Sequence, residues 1–360
     1  MMRAALALAR RSLGRTWPNP AVGCVIVREG RVVGRGRTQD GGRPHAEVDA
    51  LRQAGDLAKD ATVYVTLEPC SHHGRSPPCA DALIAAGVAR VVSALEDPNP
   101  QVNGQGHARL RAAGIAVEVG EGAAEAAEIN AGFVLRVREG RPLIHLKLAT
   151  SLDGRVATAS GESQWITGPE ARAWGHRMRA THEAILVGAN TVAQDDPELT
   201  CRLPGLARYS PVRVLLDSRA RLGPTSKLAT TARAHPVWLI CTPAAPVARR
   251  EALQALGVEI IEVGADPTGR VDVTAAVRAL GARGIMRLMI EGGGKVTAAF
   301  LKAGEVDRLS IFRGGLALGG DSRSAVGPLG LERLGFAPRF TLVSTRVLGG
   351  DTLETWTRGP

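Results

Sequence analysis

The 360-residue sequence contains few aromatic residues, few cysteines and no long apolar run. Aromatic residues make up 3% of the chain, and proteins that bind single-stranded nucleic acid usually stack its bases on such side chains, so RNA is disfavoured as a ligand. Five cysteines are too few for a disulfide framework once two are assigned to a metal, and we expect a reducing, cytoplasmic compartment. Because no stretch of about twenty apolar residues occurs, we expect no membrane-spanning helix.

Lysine is also scarce, although the chain is strongly basic. The formal net charge is +10, and arginine provides most of it, since the only lysines are Lys59, Lys147, Lys227, Lys295 and Lys302. A basic surface attracts anions, which fits a sugar phosphate or a phosphorylated cofactor but also fits nucleic acid. The basic residues form no dense run, and we therefore expect a small phosphorylated ligand and no nucleic acid.

A pattern of one histidine and two cysteines predicts a catalytic zinc site. His45 and Glu47 lie in Pro-His-Ala-Glu, and Cys70 and Cys79 enclose an eight-residue loop. One imidazole and two thiolates can hold Zn²⁺ with a fourth position open to water, and zinc nucleobase deaminases show His-x-Glu followed by two cysteines, normally only two residues apart. The alternative is a closed structural site with a histidine of the loop as fourth ligand. Such a site has no use for Glu47 beside a ligand.

The residue types suit hydrolytic deamination. Zinc lowers the pKa of water from about 15.7 towards 7, so that a nucleophile forms at neutral pH. Glu47 would carry the proton to the ring nitrogen and then to the departing amine. Loss of this carboxylate should therefore lower the rate and spare the metal.

Helix and strand signals alternate along the first 140 residues. We predict a helix near the N-terminus, a hairpin that turns at Glu29-Gly30, helices over 46–54 and 79–86, and strands over 62–67 and 90–94. The two strands should be parallel, because a helix connects them. A further helix is expected over 121–135, and we place a domain join within 136–142.

The second part of the chain predicts a largely parallel sheet. Apolar strands are expected over 143–148, 184–188, 212–216, 237–240 and 287–290, with helical segments between most of them. A Gly-x-Gly-x-x-Gly fingerprint is absent, which disfavours an ordinary dinucleotide-binding Rossmann domain. The last of these strands is followed by Glu291-Gly292-Gly293-Gly294 and a helix, a geometry that either binds phosphate or is a plain tight turn.

Several motifs together resemble the bifunctional deaminase–reductase family of riboflavin biosynthesis. They run in order from about residue 16 to about residue 294: Thr16-Trp17-Pro18-Asn19-Pro20, Pro44-His45-Ala46-Glu47, the Cys70 to Cys79 loop, Asp97-Pro98-Asn99-Pro100, Lys147-Leu148-Ala149-Thr150-Ser151, Ser163-Gln164-Trp165, Asp195-Asp196-Pro197-Glu198 and Glu291-Gly292-Gly293. The resemblance implies an α/β protein with two domains. Residues 1–140 would form a cytidine-deaminase-like α/β/α domain with zinc, and residues 141–360 a dihydrofolate-reductase-like α/β domain that binds NADPH.

The resemblance also implies a set of site residues. It assigns Zn²⁺ to His45, Cys70 and Cys79, and proton transfer to Glu47. Pyrimidine and phosphate contacts in the first domain fall on Asn19, His72 and Arg75. Contacts to the nicotinamide cofactor fall on Ala149, Trp165, Thr191, Asp195 and Ser218. Substrate contacts in the second domain fall on Lys147, Ser163, Arg179, Leu199, Arg202 and Glu291.

Two positions depart from the family pattern. Thr38 stands where the family usually has a histidine, which affects one expected substrate contact but not the metal. The stretch 313–320 stands where the family tends to show an Ala-Pro-x-Leu-Leu-Gly pattern at the far wall of the reductase cleft, and nothing in the sequence explains this change.

The function that these features predict is a two-step one. The first domain would deaminate a 2,5-diamino-6-ribosylamino-4(3H)-pyrimidinone 5′-phosphate, and the second would reduce the ribosyl group to ribityl with NADPH, in a chain that we expect to form homo-oligomers. One rival is a nucleic-acid base deaminase with a C-terminal binding domain, which predicts salt-sensitive RNA binding and no NADPH consumption. Another is a zinc-stabilised binding module without turnover.

Overall fold

The computed structural model describes residues 1–74 and 77–359 of the chain. Within these residues the chain divides into two compact units, Met1–Gly140 and Arg141–Pro360. No helix among the described residues is long and apolar enough to cross a membrane.

The first unit alternates helices with the strands of a single sheet. Its elements are α1 (Met2–Arg10), β1 (Gly23–Arg28), β2 (Arg31–Arg37), α2 (Ala46–Ala54), β3 (Thr62–Val65), α3 (Cys79–Ala85), β4 (Arg90–Ser93), α4 (Gln105–Ala112), β5 (Ala116–Val119), α5 (Ala123–Ile129) and α6 (Ala131–Glu139), with short 3-10 turns at Asp40–Gly42 and Gly55–Ala58. The strand order is β2-β1-β3-β4-β5. β1 is antiparallel to β2 and β3, whereas β3, β4 and β5 are parallel, so the predicted hairpin and the predicted parallel pair are confirmed.

Close packing against this sheet fixes the start of α2. A Cβ atom at Gly36 of β2 would lie 2.0 Å from the carbonyl oxygen of Ala46, the first residue of α2. Only glycine allows this approach, because any side chain would push the helix from the sheet. The first turn of α2 is therefore held directly against β2.

The predicted single helix over 121–135 is wrong, because two helices, α5 and α6, meet at Asn130. Asn130 has φ −96° and ψ 13°. Its Oδ1 accepts a hydrogen bond from Ala21 N–H at 3.0 Å, and its Nδ2 donates to Ala21 O at 3.2 Å. The tertiary contact interrupts the helix and outweighs a local pattern that favours helix throughout.

The second unit is built on a larger sheet. Its elements are β6 (Leu143–Thr150), β7 (Arg155–Ala157), α7 (Pro169–Arg179), β8 (Ala184–Gly188), α8 (Ala189–Asp195), β9 (Val212–Leu216), α9 (Lys227–Thr230), β10 (Val237–Cys241), α10 (Val247–Ala255), β11 (Glu259–Glu262), α11 (Val273–Ala282), β12 (Arg287–Ile290), α12 (Gly294–Lys302), β13 (Arg308–Arg313), β14 (Arg323–Ser324), β15 (Phe340–Leu348) and β16 (Asp351–Arg358), with 3-10 turns at Ala207–Tyr209 and Leu334–Phe336.

The large sheet has the strand order β11-β10-β9-β8-β12-β6-β13-β16-β15 in the described part of the chain. Neighbours from β11 to β13 are parallel, and β16 and β15 extend the sheet in antiparallel fashion. The predicted parallel sheet and the predicted α/β class are confirmed. Because the carboxyl ends of parallel strands share one edge, the segments that follow β6, β8, β9 and β12 lie close together.

Candidate active sites

The predicted metal ligands lie together in the first unit. His45 immediately precedes α2, Cys79 is the first residue of α3, and Cys70 follows β3. His45 Nδ1 is 3.3 Å from Cys79 Sγ and 3.7 Å from Cys70 Sγ, and the three ligand atoms all lie within 4.8 Å of one another. One nitrogen and two sulfurs at this spacing match the donor set of a catalytic zinc site.

The electrostatics of the two sulfurs favour a cation. A hydrogen bond from the Cys79 thiol, assisted by His45, lowers the pKa of Cys70 to about 4, and the same bond raises the pKa of Cys79. The Cys79 backbone N–H also donates to Cys70 Sγ at 3.3 Å. A thiolate therefore already stands at Cys70, and a divalent cation that bound both sulfurs would release the proton that they share. The residues present fit a zinc ion.

Glu47 lies on the first turn of α2, and its side chain faces the same cavity. The residue is only 3% exposed, and this burial raises its pKa to about 7. It lines a cavity of about 250 Å³ together with His45 and Cys70. A carboxyl group that titrates near neutrality can both accept and return a proton.

The cavity wall contains some of the predicted substrate contacts. Asn19 and His72 line it, whereas Arg75 lies outside the described residues. Thr38, which replaces a histidine of the family pattern, also lines the cavity. Its Oγ1 accepts from Val22 N–H and donates to Pro20 O, both at 3.0 Å. The threonine thus holds the segment that carries Asn19.

Sequence reasoning missed part of this wall. Glu68, Asp97 and Asn99 line the cavity, although Asp97-Pro98-Asn99-Pro100 had been noted only as a family motif. The buried Glu68 carboxylate accepts hydrogen bonds from four backbone N–H groups, those of Asp97, Gly104, Gly106 and His107, at 2.8 to 3.2 Å. Burial raises the pKa of Asp97 to about 6. An isolated acidic residue before Pro-Cys carries no sequence signal for such a role.

Two neighbouring cavities lie at the carboxyl edge of the sheet in the second unit. One, of about 380 Å³, is lined by these predicted residues among others: Lys147, Ala149, Ser163, Trp165, Thr191, Asp195 and Glu291. The other, of about 570 Å³, is lined by Thr191 and Ser218 among others. The two cavities share Thr191, Gln194, Gly293 and Gly294, so together they form an elongated cleft.

The shared part of the cleft fits the phosphates of a dinucleotide. Helix α12 begins there at Gly294, and a helix start presents unpaired N–H groups to an anion. A Cβ atom at Gly292 or Gly293 would lie 3.2 or 3.1 Å from Thr191 Oγ1, so side chains at these positions would crowd the cleft. Thr297 Oγ1 is buried in the cavity wall and has no hydrogen-bond partner among residues 1–74 and 77–359. Bare backbone and an unsatisfied hydroxyl suit a bound cofactor.

The predicted substrate residues of this unit divide into two groups. Lys147, Ser163 and Glu291 line the smaller cavity, but Arg179, Leu199 and Arg202 are not among its lining residues. Arg179 instead forms a fork on Glu291, with Nε and Nη2 at 2.7 and 2.8 Å from its two oxygens. Leu199 is 3% exposed in the core, and Arg202 pairs with Glu198 at 3.3 Å on the surface.

The Arg179 fork holds Glu291 ionised at the cavity wall. Burial alone would raise the pKa of Glu291, but the charges of Arg179 and Lys147 lower it to about 2. Lys147 Nζ is 3.9 Å from the same carboxylate. Arg179 therefore holds Glu291 from behind, and the cavity wall presents the Glu291 carboxylate beside the Lys147 ammonium group.

Residues 323–325 form part of the wall of the smaller cavity. The unusual stretch 313–320 does not contribute to the lining and is tied down by Asp153, whose carboxylate accepts from Leu318 N–H at 3.1 Å and Gly319 N–H at 2.8 Å. Arg323 and Gln194 line the cavity and had not been identified from the sequence. Neither stands in a motif that distinguishes it from the many other polar residues of the chain.

Comparisons with known proteins find relatives for both units of the chain. A family model described as the RibD C-terminal domain matches residues 142–353, and one described as the cytidine and deoxycytidylate deaminase zinc-binding region matches residues 1–95. The riboflavin biosynthesis protein RibD of Escherichia coli is 45% identical over 361 residues, which cover 97% of this chain and 96% of the relative. The RibD protein of Bacillus amyloliquefaciens is 40% identical and covers 97% of this chain and 93% of its own.

Solved structures of similar proteins also match both units of the chain. Acinetobacter baumannii RibD, form 1, is 39% identical and superposes with a TM-score of 0.89 over 100% of this chain and 98% of its own. A Thermotoga maritima diaminohydroxyphosphoribosylaminopyrimidine deaminase/5-amino-6-(5-phosphoribosylamino)uracil reductase is 34% identical, with a TM-score of 0.86 over 99% and 97%. The chain belongs to the RibD family of bifunctional riboflavin-biosynthesis enzymes, which combine a zinc-binding deaminase domain with an NADPH-dependent reductase domain.

Proposed function

We propose that the unit Met1–Gly140 deaminates 2,5-diamino-6-ribosylamino-4(3H)-pyrimidinone 5′-phosphate and that the unit Arg141–Pro360 then reduces its ribosyl group to ribityl with NADPH. The observation that carries the proposal is the cluster of His45, Cys70 and Cys79 beside the buried Glu47, within a chain that resembles RibD proteins from end to end. The order of the two steps follows from the product of the first being the substrate of the second.

In the deaminase unit, His45, Cys70 and Cys79 would hold zinc, which supplies a Lewis acid that lowers the pKa of water. Glu47 would take the proton of the attacking water and pass it to the ring nitrogen and to the leaving amine. Asn19, His72 and Arg75 would contact the pyrimidine and the phosphate. The cavity of about 250 Å³ admits a single ring and excludes a base that remains stacked in a duplex.

In the reductase unit, bound NADPH supplies the hydride. Ala149, Trp165, Thr191, Asp195 and Ser218 would contact the cofactor, and the start of α12 would bind its pyrophosphate. Lys147, Ser163 and Glu291 would face the sugar, and Arg179 would act by holding Glu291 in place. Leu199 and Arg202 remain predicted contacts, and they need a rearrangement of their side chains, or a backbone contact, to reach the cavity. Positioning of the two reactants would then supply most of the rate.

The remaining expectations concern partners and compartment. The proposal needs only small phosphorylated molecules as partners, and homo-oligomer formation stays a prediction. None of the five cysteines forms a disulfide, and a reducing compartment such as the cytoplasm stays a prediction.

The test is incubation of zinc-loaded protein with the diaminopyrimidinone nucleotide, with and without NADPH, followed by mass spectrometry. We expect release of ammonia in both reactions and a gain of two hydrogens only with NADPH. A deaminated product that never gains two hydrogens would refute the reductase assignment. Deamination of RNA without turnover of the nucleotide would favour the nucleic-acid rival instead.

A further inference from the structure

The larger cavity of the reductase unit contains an excess of positive side chains. Four basic residues line it, namely Arg219, Arg221, Arg270 and Lys295, against two acidic residues, Asp217 and Asp266. The smaller cavity holds Lys147 and Glu291 and would receive the nicotinamide end of the cofactor, and the start of α12 lies between the two cavities. This inference rests on the proposed reductase function, which then places the adenosine end of NADPH in the larger, basic cavity.

Asp217 occupies a position of special interest, because it directly follows β9. In many dinucleotide-binding folds an acidic residue after a strand binds the ribose 2′-hydroxyl of NADH, whereas a nearby arginine accommodates the 2′-phosphate of NADPH. Here the Asp217 side chain has no exposed surface. Its carboxylate is engaged by the Arg219 backbone N–H at 3.4 Å, by the Arg221 backbone N–H, and by Arg221 Nε at 3.2 Å. The Asp217 carboxylate is therefore hydrogen-bonded within the loop that follows β9.

Asp266 is engaged in a similar way. Its Oδ1 accepts from Thr268 N–H and Oγ1 at 2.8 and 2.7 Å and from the Arg270 backbone N–H at 3.0 Å. Both carboxylates are thus hydrogen-bonded within their own loops, and the four basic residues outnumber them, so the lining carries a net positive charge. A dianionic phosphate is the group that such a surface selects.

We propose that Arg219 and Arg221 bind the 2′-phosphate and so select NADPH over NADH. Arg221 uses its Nε for the contact with Asp217 at 3.2 Å, and 58% of this side chain is exposed, so its terminal nitrogens can serve an incoming ligand. Arg219 is exposed two residues earlier in the same loop. A planar guanidinium matches two phosphate oxygens at once, which a lysine cannot do.

The test is a fluorescence titration of the zinc-loaded, full-length protein with NADPH and, separately, with NADH. We expect the Kd for NADPH to increase about 10- to 100-fold in Arg219→Gln plus Arg221→Gln, since charge-assisted hydrogen bonds are lost, while the Kd for NADH stays within about twofold. Arg278→Gln, which removes an exposed arginine of α11 outside the cavity, is the matched control and should change neither value.

Two further variants keep the result interpretable. Arg219→Gln alone leaves the side-chain contact between Asp217 and Arg221 intact and should still raise the Kd for NADPH without raising that for NADH. Arg221→Lys should keep only part of the wild-type preference for NADPH. An unchanged ratio of the two Kd values in the double variant, or an equal loss for both cofactors, overturns the inference. If the wild-type protein bound neither dinucleotide, the proposed reductase function itself would fail, which is a different outcome.

Discussion

Asn130 binds both main-chain polar groups of Ala21, across 109 residues of sequence. The side chain takes the place of a neighbouring strand, accepting from the Ala21 N–H and donating to its carbonyl. Asn130 is 2% exposed, and the segment it holds also carries Asn19 and Pro20 of the deaminase cavity. The junction of α5 and α6 is therefore tied to one wall of the zinc-side cavity.

Asn130→Ala should destabilise the deaminase unit and loosen its substrate site. Loss of two buried hydrogen bonds, with the Ala21 groups left unsatisfied, should lower the free energy of unfolding by about 2 kcal/mol. We expect a raised KM for deamination and an unchanged KM for NADPH. Urea unfolding and separate assays of the two reactions measure these effects. The exposed Gln101→Ala is a suitable control, and equal KM values in wild type and Asn130→Ala would contradict the link to the cavity.

Glu47→Gln should abolish deamination and keep the metal. The amide cannot carry a proton, so kcat should fall by about 100-fold or more, while zinc content by elemental analysis stays at the wild-type level. The exposed Glu29→Gln in the β1–β2 turn serves as the control. Reduction of the deaminated intermediate should proceed normally in both variants. Substantial deamination by Glu47→Gln would remove Glu47 from the mechanism.

Zinc removal should separate the two activities. A chelator, or Cys79→Ala, should eliminate deamination because the donor set is broken. NADPH-dependent reduction of the deaminated intermediate should persist, since its cavities lie wholly in the second unit. Cys241→Ala, which removes a buried thiol from β10, should retain zinc and deamination. Loss of reduction upon chelation, with the fold intact by circular dichroism, would argue against this independence.

The second unit should lose stability as the pH falls below about 6.5. Burial lowers the pKa of His182 to about 3 and that of His145 well below its usual value, and the two rings are hydrogen-bonded at 3.2 Å between Nδ1 of His145 and Nε2 of His182. Both stay neutral in the folded state, whereas the unfolded chain takes up protons near pH 6.5. The unfolded state then binds more protons, so stability falls with decreasing pH.

A variant isolates this effect from other titrating groups. His182→Gln should reduce the dependence of the unfolding free energy between pH 6 and pH 5 by about 1.4 kcal/mol per pH unit. Gln254→Ala, which removes an exposed side chain from α10 of the same unit, should keep the wild-type slope. Four of the five tryptophans lie in this unit, so tryptophan fluorescence in urea titrations reports mainly on it. An unchanged slope in His182→Gln would refute the assignment.

Sequence reasoning located side chains that local motifs bring together, and their roles in the reaction stay predictions. The zinc ligands and Glu47 fall in short motifs, and the strands that frame the cleft are apolar runs between turn residues, so both could be predicted. It failed where a distant partner decides the outcome. Asn130 interrupts a helix because of Ala21, and Arg179 is directed at Glu291, 112 residues away. The sequence around Asp217 does not indicate that its carboxylate is hydrogen-bonded to Arg221, because this contact depends on the conformation of the loop after β9.

The two sulfur atoms have separate anchors, one on the segment after β3 and the other on the first turn of α3. The described part of the stretch between these two cysteines includes His72, which lines the cavity beside Glu47. Because each sulfur is positioned by its own element, we expect substitutions at His72 to change the cavity wall and to leave both sulfur positions unchanged. New substrate tolerance can therefore be explored there while the metal remains in place.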